Sequence, residues 1–151
     1  MATLISHSPE ETEALGEAWG REAESGLVIG LCGDLGAGKT QLVKGVARGL
    51  GITARVHSPT FALLNVYSGG RLILNHLDLY RLENREQIMA AGLEEYFHPI
   101  GMTVVEWAER WFGEAESSKF KIQNSKFKLR RVQIESLSET SRRITYEDFG
   151  D

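Results

Sequence analysis

One cysteine, three prolines and no apolar run of membrane-spanning length set the first limits on this 151-residue chain. The lone thiol, Cys32, rules out an internal disulfide. It ends an apolar stretch, a place that suits a buried small hydrophobe better than a reactive group. A bilayer span needs about 20 consecutive apolar residues, and the N-terminus lacks a basic region followed by an apolar stretch. The expectation is a soluble cytoplasmic protein with no membrane contact. Basic excess is missing as well: net charge is −4, so no global field draws the chain onto nucleic acid. What the chain has in quantity is apolar residues, 42% of the total, enough for the core of a single domain spanning 1–151.

Glycine is concentrated where it matters most, in GDLGAGKT at Gly33 to Thr40. The run has the spacing G-x-x-x-x-G-K-[ST] of a phosphate-binding loop. Glycines let backbone N–H groups turn inward around phosphate oxygens. The nucleotide would then lie against Gly33, Asp34, Leu35, Gly36, Ala37, Gly38, Lys39 and Thr40. Lys39 offers a charge for the β- and γ-phosphates, and Thr40 a hydroxyl for magnesium. Gly26 to Cys32 is an apolar run of strand length directly before the loop, and Gln41 to Leu50 reads as the helix after it. That helix points its N-terminal dipole at the phosphates.

Upstream, Thr3 to Ser6 reads as a short edge strand. Ser8, Pro9 and Glu11 signal the start of a helix running to about Ser25. Ala14, Leu15, Ala18 and Trp19 recur at helical spacing, which predicts a face packed on the sheet. Downstream, Pro59 forces an extended or turn conformation, leaving Thr60 in or beside a loop. The residues leave two roles open for Thr60, a sensor of the γ-phosphate or part of a turn before a strand.

Phe61 to Tyr67 and Leu72 to Leu77 read as a hairpin around Ser68 to Arg71. The second run ends at Asp78, an acid closing an apolar strand, as a magnesium-binding carboxylate does downstream of a phosphate loop. His76 and Asp78 share a strand face. They could form a metal-ligand pair, but no third His or Cys lies nearby in sequence, which disfavours zinc. Glu83 to Phe97 is a mixed helical stretch interrupted at Gly92. Met102 to Val105 is another buried strand, ending in Glu106 and followed by Trp107 and a short helix from Ala108 to Gly113. Two strands thus deliver carboxylates to the edge where a parallel α/β sheet binds ligands. One would hold magnesium while the other orients or deprotonates water; the residues do not say which.

Composition changes from residue 114 to 131. SKFKIQN at Ser118 is nearly repeated by SKFKLRR at Ser125, with six positive charges and no acid between Glu116 and Glu135. The pattern suits extended structure better than helix. Clustered Lys and Arg with two phenylalanines could touch nucleic acid, but a solvated lysine-rich insertion before a C-terminal hairpin is simpler. That hairpin is expected from Arg130 to Leu137 and Ser141 to Tyr146.

GDLGAGKT, SPTF at Ser58, HLDLYRL at His76 and VVEWAER at Val104, in that order, resemble one family. This is the TsaE family, bacterial P-loop ATPases that act in making the threonylcarbamoyladenosine (t6A) modification of certain tRNAs. The resemblance runs from the N-terminal strand to about Arg110 and weakly over the closing hairpin, and the lysine-rich repeat departs from it. It implies an α/β, P-loop NTPase-like sandwich with parallel central strands flanked by antiparallel ones. It implies hydrolysis of ATP with Mg2+, slow when the protein is alone. The implied partners are a TsaD-type threonylcarbamoyl transferase and a TsaB-type subunit, whose complex the ATP cycle resets; tRNA is met only indirectly or weakly. By resemblance Lys39 holds phosphates, Thr40 and Glu106 serve magnesium, and Thr60 is switch-like. Asp78 is the acid needed for hydrolysis and Trp107 lies beside the active site.

Other readings of the residues are a small P-loop kinase and a nucleotide-gated binding module. A kinase usually closes an arginine-bearing lid over the transferred phosphate, and no compact lid segment stands out here. A binding module would need only the loop, without Asp78 and Glu106. The chain has no N-K-x-D guanine-reading motif, which favours ATP over GTP.

Overall fold

The computed structural model describes residues 2–33, 38–57, 59, 62–113 and 128–150. The chain begins with β1 (Ala2–Ser6), α1 (Pro9–Glu22), β2 (Leu27–Gly33) and α2 (Lys39–Gly49). It continues through β3 (Leu64–Tyr67), β4 (Leu74–Asp78), α3 (Arg85–Ala90) and a 3-10 turn at Glu94–Phe97. β5 (Met102–Glu106), α4 (Glu109–Phe112), β6 (Lys128–Ser136) and β7 (Arg142–Phe149) complete it. The strands form one sheet in the order β1-β7-β6-β2-β5-β4-β3. β6, β2, β5 and β4 are mutually parallel; β3 lies antiparallel on β4, β7 on β6, and β1 on β7. The expected architecture, parallel strands at the centre and antiparallel strands at the flanks, is what the chain adopts.

β2 has parallel neighbours on both sides and helices over both faces, so its sequence is apolar throughout rather than alternating. Ile29 and Leu31 point to a core shared with α1 and α2. Val28 and Cys32 point to a second core with Ile88, Phe97 and Trp111. Burial pushes the Cys32 thiol up to about 12, with the Glu109 carboxylate adding to it, so the thiol packs as the apolar sequence context expects.

Ser8 caps α1, its Oγ accepting from Glu11 N–H at 3.1 Å, while the Glu11 carboxylate reaches back to the His7 N–H. The buried face of this helix overlaps the expected one at Leu15 and Trp19 but is shifted from it. Thr12, Gly16, Trp19 and Gly20 are buried, whereas Ala14 is exposed. α1 lies against α2 so closely that a methyl group on Gly16 or Gly20 would meet the backbone carbonyls of Leu42 and Val46. Gly45 and Gly49 of α2 meet Glu13 and Glu17 carbonyls in the same way. Hydrophobic periodicity does not register glycine, so it found the helix and shifted its inner face. α1 also ends at Glu22, before Ser25, because Ala23 is already extended.

The closing pair also differs from a peripheral hairpin. β6 pairs antiparallel with β7 as expected, but it also lies parallel beside β2 from Leu27↔Lys128 to Gly33↔Ile134. Lys128 to Arg131, grouped with the lysine-rich stretch in sequence, therefore belong to an interior strand. Residues 114–127 of that stretch lie outside the described residues.

Candidate functional site

The phosphate-loop glycines at its two ends are needed for separate reasons. Gly33 has φ 144°, and a Cβ there would strike the Ile134 carbonyl of the neighbouring strand β6. Gly38, the N-cap of α2, has φ 100°, in the left-handed region that side chains resist. Asp34, Leu35, Gly36 and Ala37 lie outside the described residues, as does Thr60.

Lys39 opens α2 and is only 4% exposed. Its Nζ donates to the Gly33 carbonyl at 2.8 Å, folding back across its own loop. Burial lowers the pKa of this ammonium, and the Glu106, Glu109 and Asp78 carboxylates oppose that shift. Thr40 follows it, half-buried in the first helical turn.

The two acids meet at the neighbouring strand ends. Parallel pairing of β4 and β5 sets Asp78 directly opposite Glu106, so both side chains leave the sheet on one face. Each is 4% exposed. Asp78 Oδ1 accepts from the Tyr80 N–H at 2.9 Å. Glu106 Oε2 lies 2.5 Å from Nε2 of the fully buried His76. Trp107 comes next, and its backbone takes φ 60°. Its indole lies under the Lys39 ammonium, 3.9 Å from Nζ to the ring centre, with the Tyr80 ring at 5.2 Å on its other contacts.

Among the described residues no group of three or more His, Cys, Asp or Glu side chains is poised to hold a metal alone. Magnesium rarely asks for one: it takes one or two carboxylates and completes its shell with substrate phosphates and water. Two adjacent buried carboxylates near the buried Lys39 ammonium, with the hydroxyl of Thr40 next to that lysine in the chain, are oxygen donors of the kind that requirement asks for. A thiolate or imidazole site would not look like this.

Sequence reasoning missed two neighbours of the site and the partner of a third. Glu109 is close enough to raise the Lys39 pKa; it sits one short turn after Glu106, and that spacing was its only signal. Tyr80 packs on Trp107, two residues past Asp78. His76 grips Glu106, which its shared face with Asp78 hinted at without naming the partner. Arg142, the first residue of β7, brings its Nε to 3.7 Å from where a Cβ on Gly38 would stand. Clefts of about 270 Å³ beside Trp19 and Leu27, and about 510 Å³ beside Lys44 and Arg55, lie away from Lys39, Asp78 and Glu106.

The family model described as "Threonylcarbamoyl adenosine biosynthesis protein TsaE" matches residues 6–143. A Bacillus subtilis protein named tRNA threonylcarbamoyladenosine biosynthesis protein TsaE is 50% identical over 101 residues, 67% of this chain and 63% of the relative. The match thus spans under two thirds of that protein's length. A Nostoc protein of the same name is 46% identical over 114 residues, 73% of this chain and 70% of its own. The crystal structure of Bacillus subtilis YdiB superposes with a TM-score of 0.73 at 35% identity, covering 96% of this chain and 83% of that one. With a family match that runs from β1 into β7 and a solved relative of the same fold, this chain belongs to the TsaE family.

Proposed function

We propose that this protein is a Mg-ATP-hydrolysing accessory subunit of the cytoplasmic machinery that makes the t6A modification of tRNA. Its ATP cycle resets a complex of a TsaB-type subunit and a TsaD-type transferase between rounds, and the transfer chemistry belongs to the partner. The observation that carries the reading is the register of Asp78 against Glu106 beside the buried ammonium of Lys39.

In this reading the loop from Gly33 to Thr40 binds ATP and Lys39 neutralises the β- and γ-phosphates. Thr40 and Glu106 hold magnesium, which when bound spreads the negative charge that builds on the transferring phosphate. Asp78 orients the attacking water and draws its proton. Thr60 responds to the γ-phosphate. Trp107 packs on Lys39 and limits where the ammonium can go.

The test separates binding from turnover. Lys39→Ala should weaken ATP binding by more than about tenfold. Asp78→Ala and Glu106→Ala should bind within about threefold of the parent and lose hydrolysis by about a hundredfold or more, the scale of a general base or metal-ligand loss. Parental turnover in both carboxylate variants would remove the assignment.

A further inference from the structure

A histidine in the middle of a fully buried strand needs a reason, since burying a polar ring without a partner is costly. His76 is 0% exposed, and every residue of β4 around it is buried. Strand alternation turns it to the face that carries Asp78, and parallel pairing places it opposite Val104 of β5. Glu106 is two residues further along β5, and the imidazole spans that diagonal to bring Nε2 within 2.5 Å of Oε2. Nδ1 is buried with no hydrogen-bond partner among the described residues. The ring orientation therefore rests on its bond to Glu106.

We propose that His76 is a positioning residue of the nucleotide site, whose Nε2–H holds the Glu106 carboxylate in the orientation that binds magnesium. The inference rests on the reading of Glu106 as a magnesium ligand. Nε2 is already committed to the carboxylate, so His76 acts through Glu106 and does not itself coordinate metal. A carboxylate oxygen only accepts, so the contact is Nε2–H donating to Oε2. Asp78 is served in parallel fashion, because the Tyr80 N–H holds its Oδ1. Each acid of the pair thus has one oxygen fixed by a neighbour on or just past β4. Partners in this outer position tune metal affinity by about 10–100-fold.

Three variants test it. His76→Leu fills the space without a donor, His76→Gln places an amide N–H near the position of Nε2, and His76→Asn carries the same amide one methylene short. The readouts are Mn2+ affinity of the ADP complex by electron paramagnetic resonance, and fluorescent-ADP affinity without metal. His76→Leu and His76→Asn should weaken Mn2+ binding about 10–100-fold, leave metal-free nucleotide binding within about threefold, and His76→Gln should restore the metal. If His76→Leu does not fold, the contrast between Asn and Gln decides alone. Unchanged Mn2+ affinity in the variants would overturn the role of His76. So would an equal loss of metal-free nucleotide binding, or failure of folded His76→Gln to recover the metal. A wild-type ADP complex without a Mn2+ site, or one that Glu106→Gln leaves intact, would instead overturn the functional reading, and this inference with it.

Discussion

The ammonium of Lys39 rests 3.9 Å from the centre of the Trp107 indole, and Trp107 adopts φ 60° in doing so. A left-handed backbone costs a bulky residue about 1–2 kcal/mol. A cation over an indole face recovers about 0.5–2 kcal/mol depending on how dry the contact is. Lys39 Nζ thus touches both the Gly33 carbonyl and the Trp107 ring, so a phosphate held by this ammonium would lie close to the indole. Nucleotide binding should change tryptophan emission, and the change should vanish in Trp107→Phe while surviving Trp19→Phe, since Trp19 is in the core of the α1 side. A fluorescence titration checks this. An undiminished signal in Trp107→Phe would separate the indole from the phosphate site.

The approach of α1 to α2 gives a prediction whose sign opposes helix propensity. Alanine is a better helix former than glycine by about 1 kcal/mol, so Gly45→Ala should stabilise an isolated helix. Here the added methyl would meet the Glu13 carbonyl of α1. Overpacking of this kind costs about 1–3 kcal/mol, so after the propensity gain the net loss is about 1 kcal/mol, which lowers Tm by about 2–4 °C in a chain of this size. Thermal unfolding followed by circular dichroism reads it directly. A variant as stable as the parent would mean that the helices sit further apart.

Much of the site was legible because its signals are local. A phosphate loop announces itself by glycine, lysine and threonine at fixed spacing, and strands that end in acids announce Asp78 and Glu106. The relations between distant segments were not legible. No residue near Lys128 says that β6 will lie parallel beside β2, since parallel pairing is specified only by the assembled sheet. Gly16 and Gly45 carry no hydrophobic signal, yet they fix how close α1 lies to α2. His76 was seen beside Asp78 along one strand, while its partner Glu106 lies across to the next. The sequence pattern says which face a residue takes and leaves open what meets it there.

The ion pair at the far end of β6 predicts a pH dependence. Arg130 Nε and Nη2 donate to the two carboxylate oxygens of Asp148 at 2.7 and 2.9 Å. These bonds hold the Asp148 carboxyl below its ordinary value of 3.8. A depressed carboxylate contributes stability that is present above the unfolded-state pKa and disappears as pH falls through the folded one. Because Asp148 is 59% exposed, screening keeps the contribution to about 1 kcal/mol or less. Asp148→Asn should therefore be slightly less stable than the parent in urea at pH 7, and the difference should close as pH drops below about 3.8. A gap that stays constant into acid would assign it to packing over Trp19 and Tyr146, which Arg130 also covers.

Mg-ATP hydrolysis, measured for the protein alone and with a TsaB–TsaD pair added, separates a partner-coupled ATPase from a kinase. Slow turnover alone, a rise when the pair is present, and loss of both in Lys39→Ala are the expected results. Turnover indifferent to the pair, with the γ-phosphate passing instead to a small acceptor, would contradict the ATPase reading and identify a kinase.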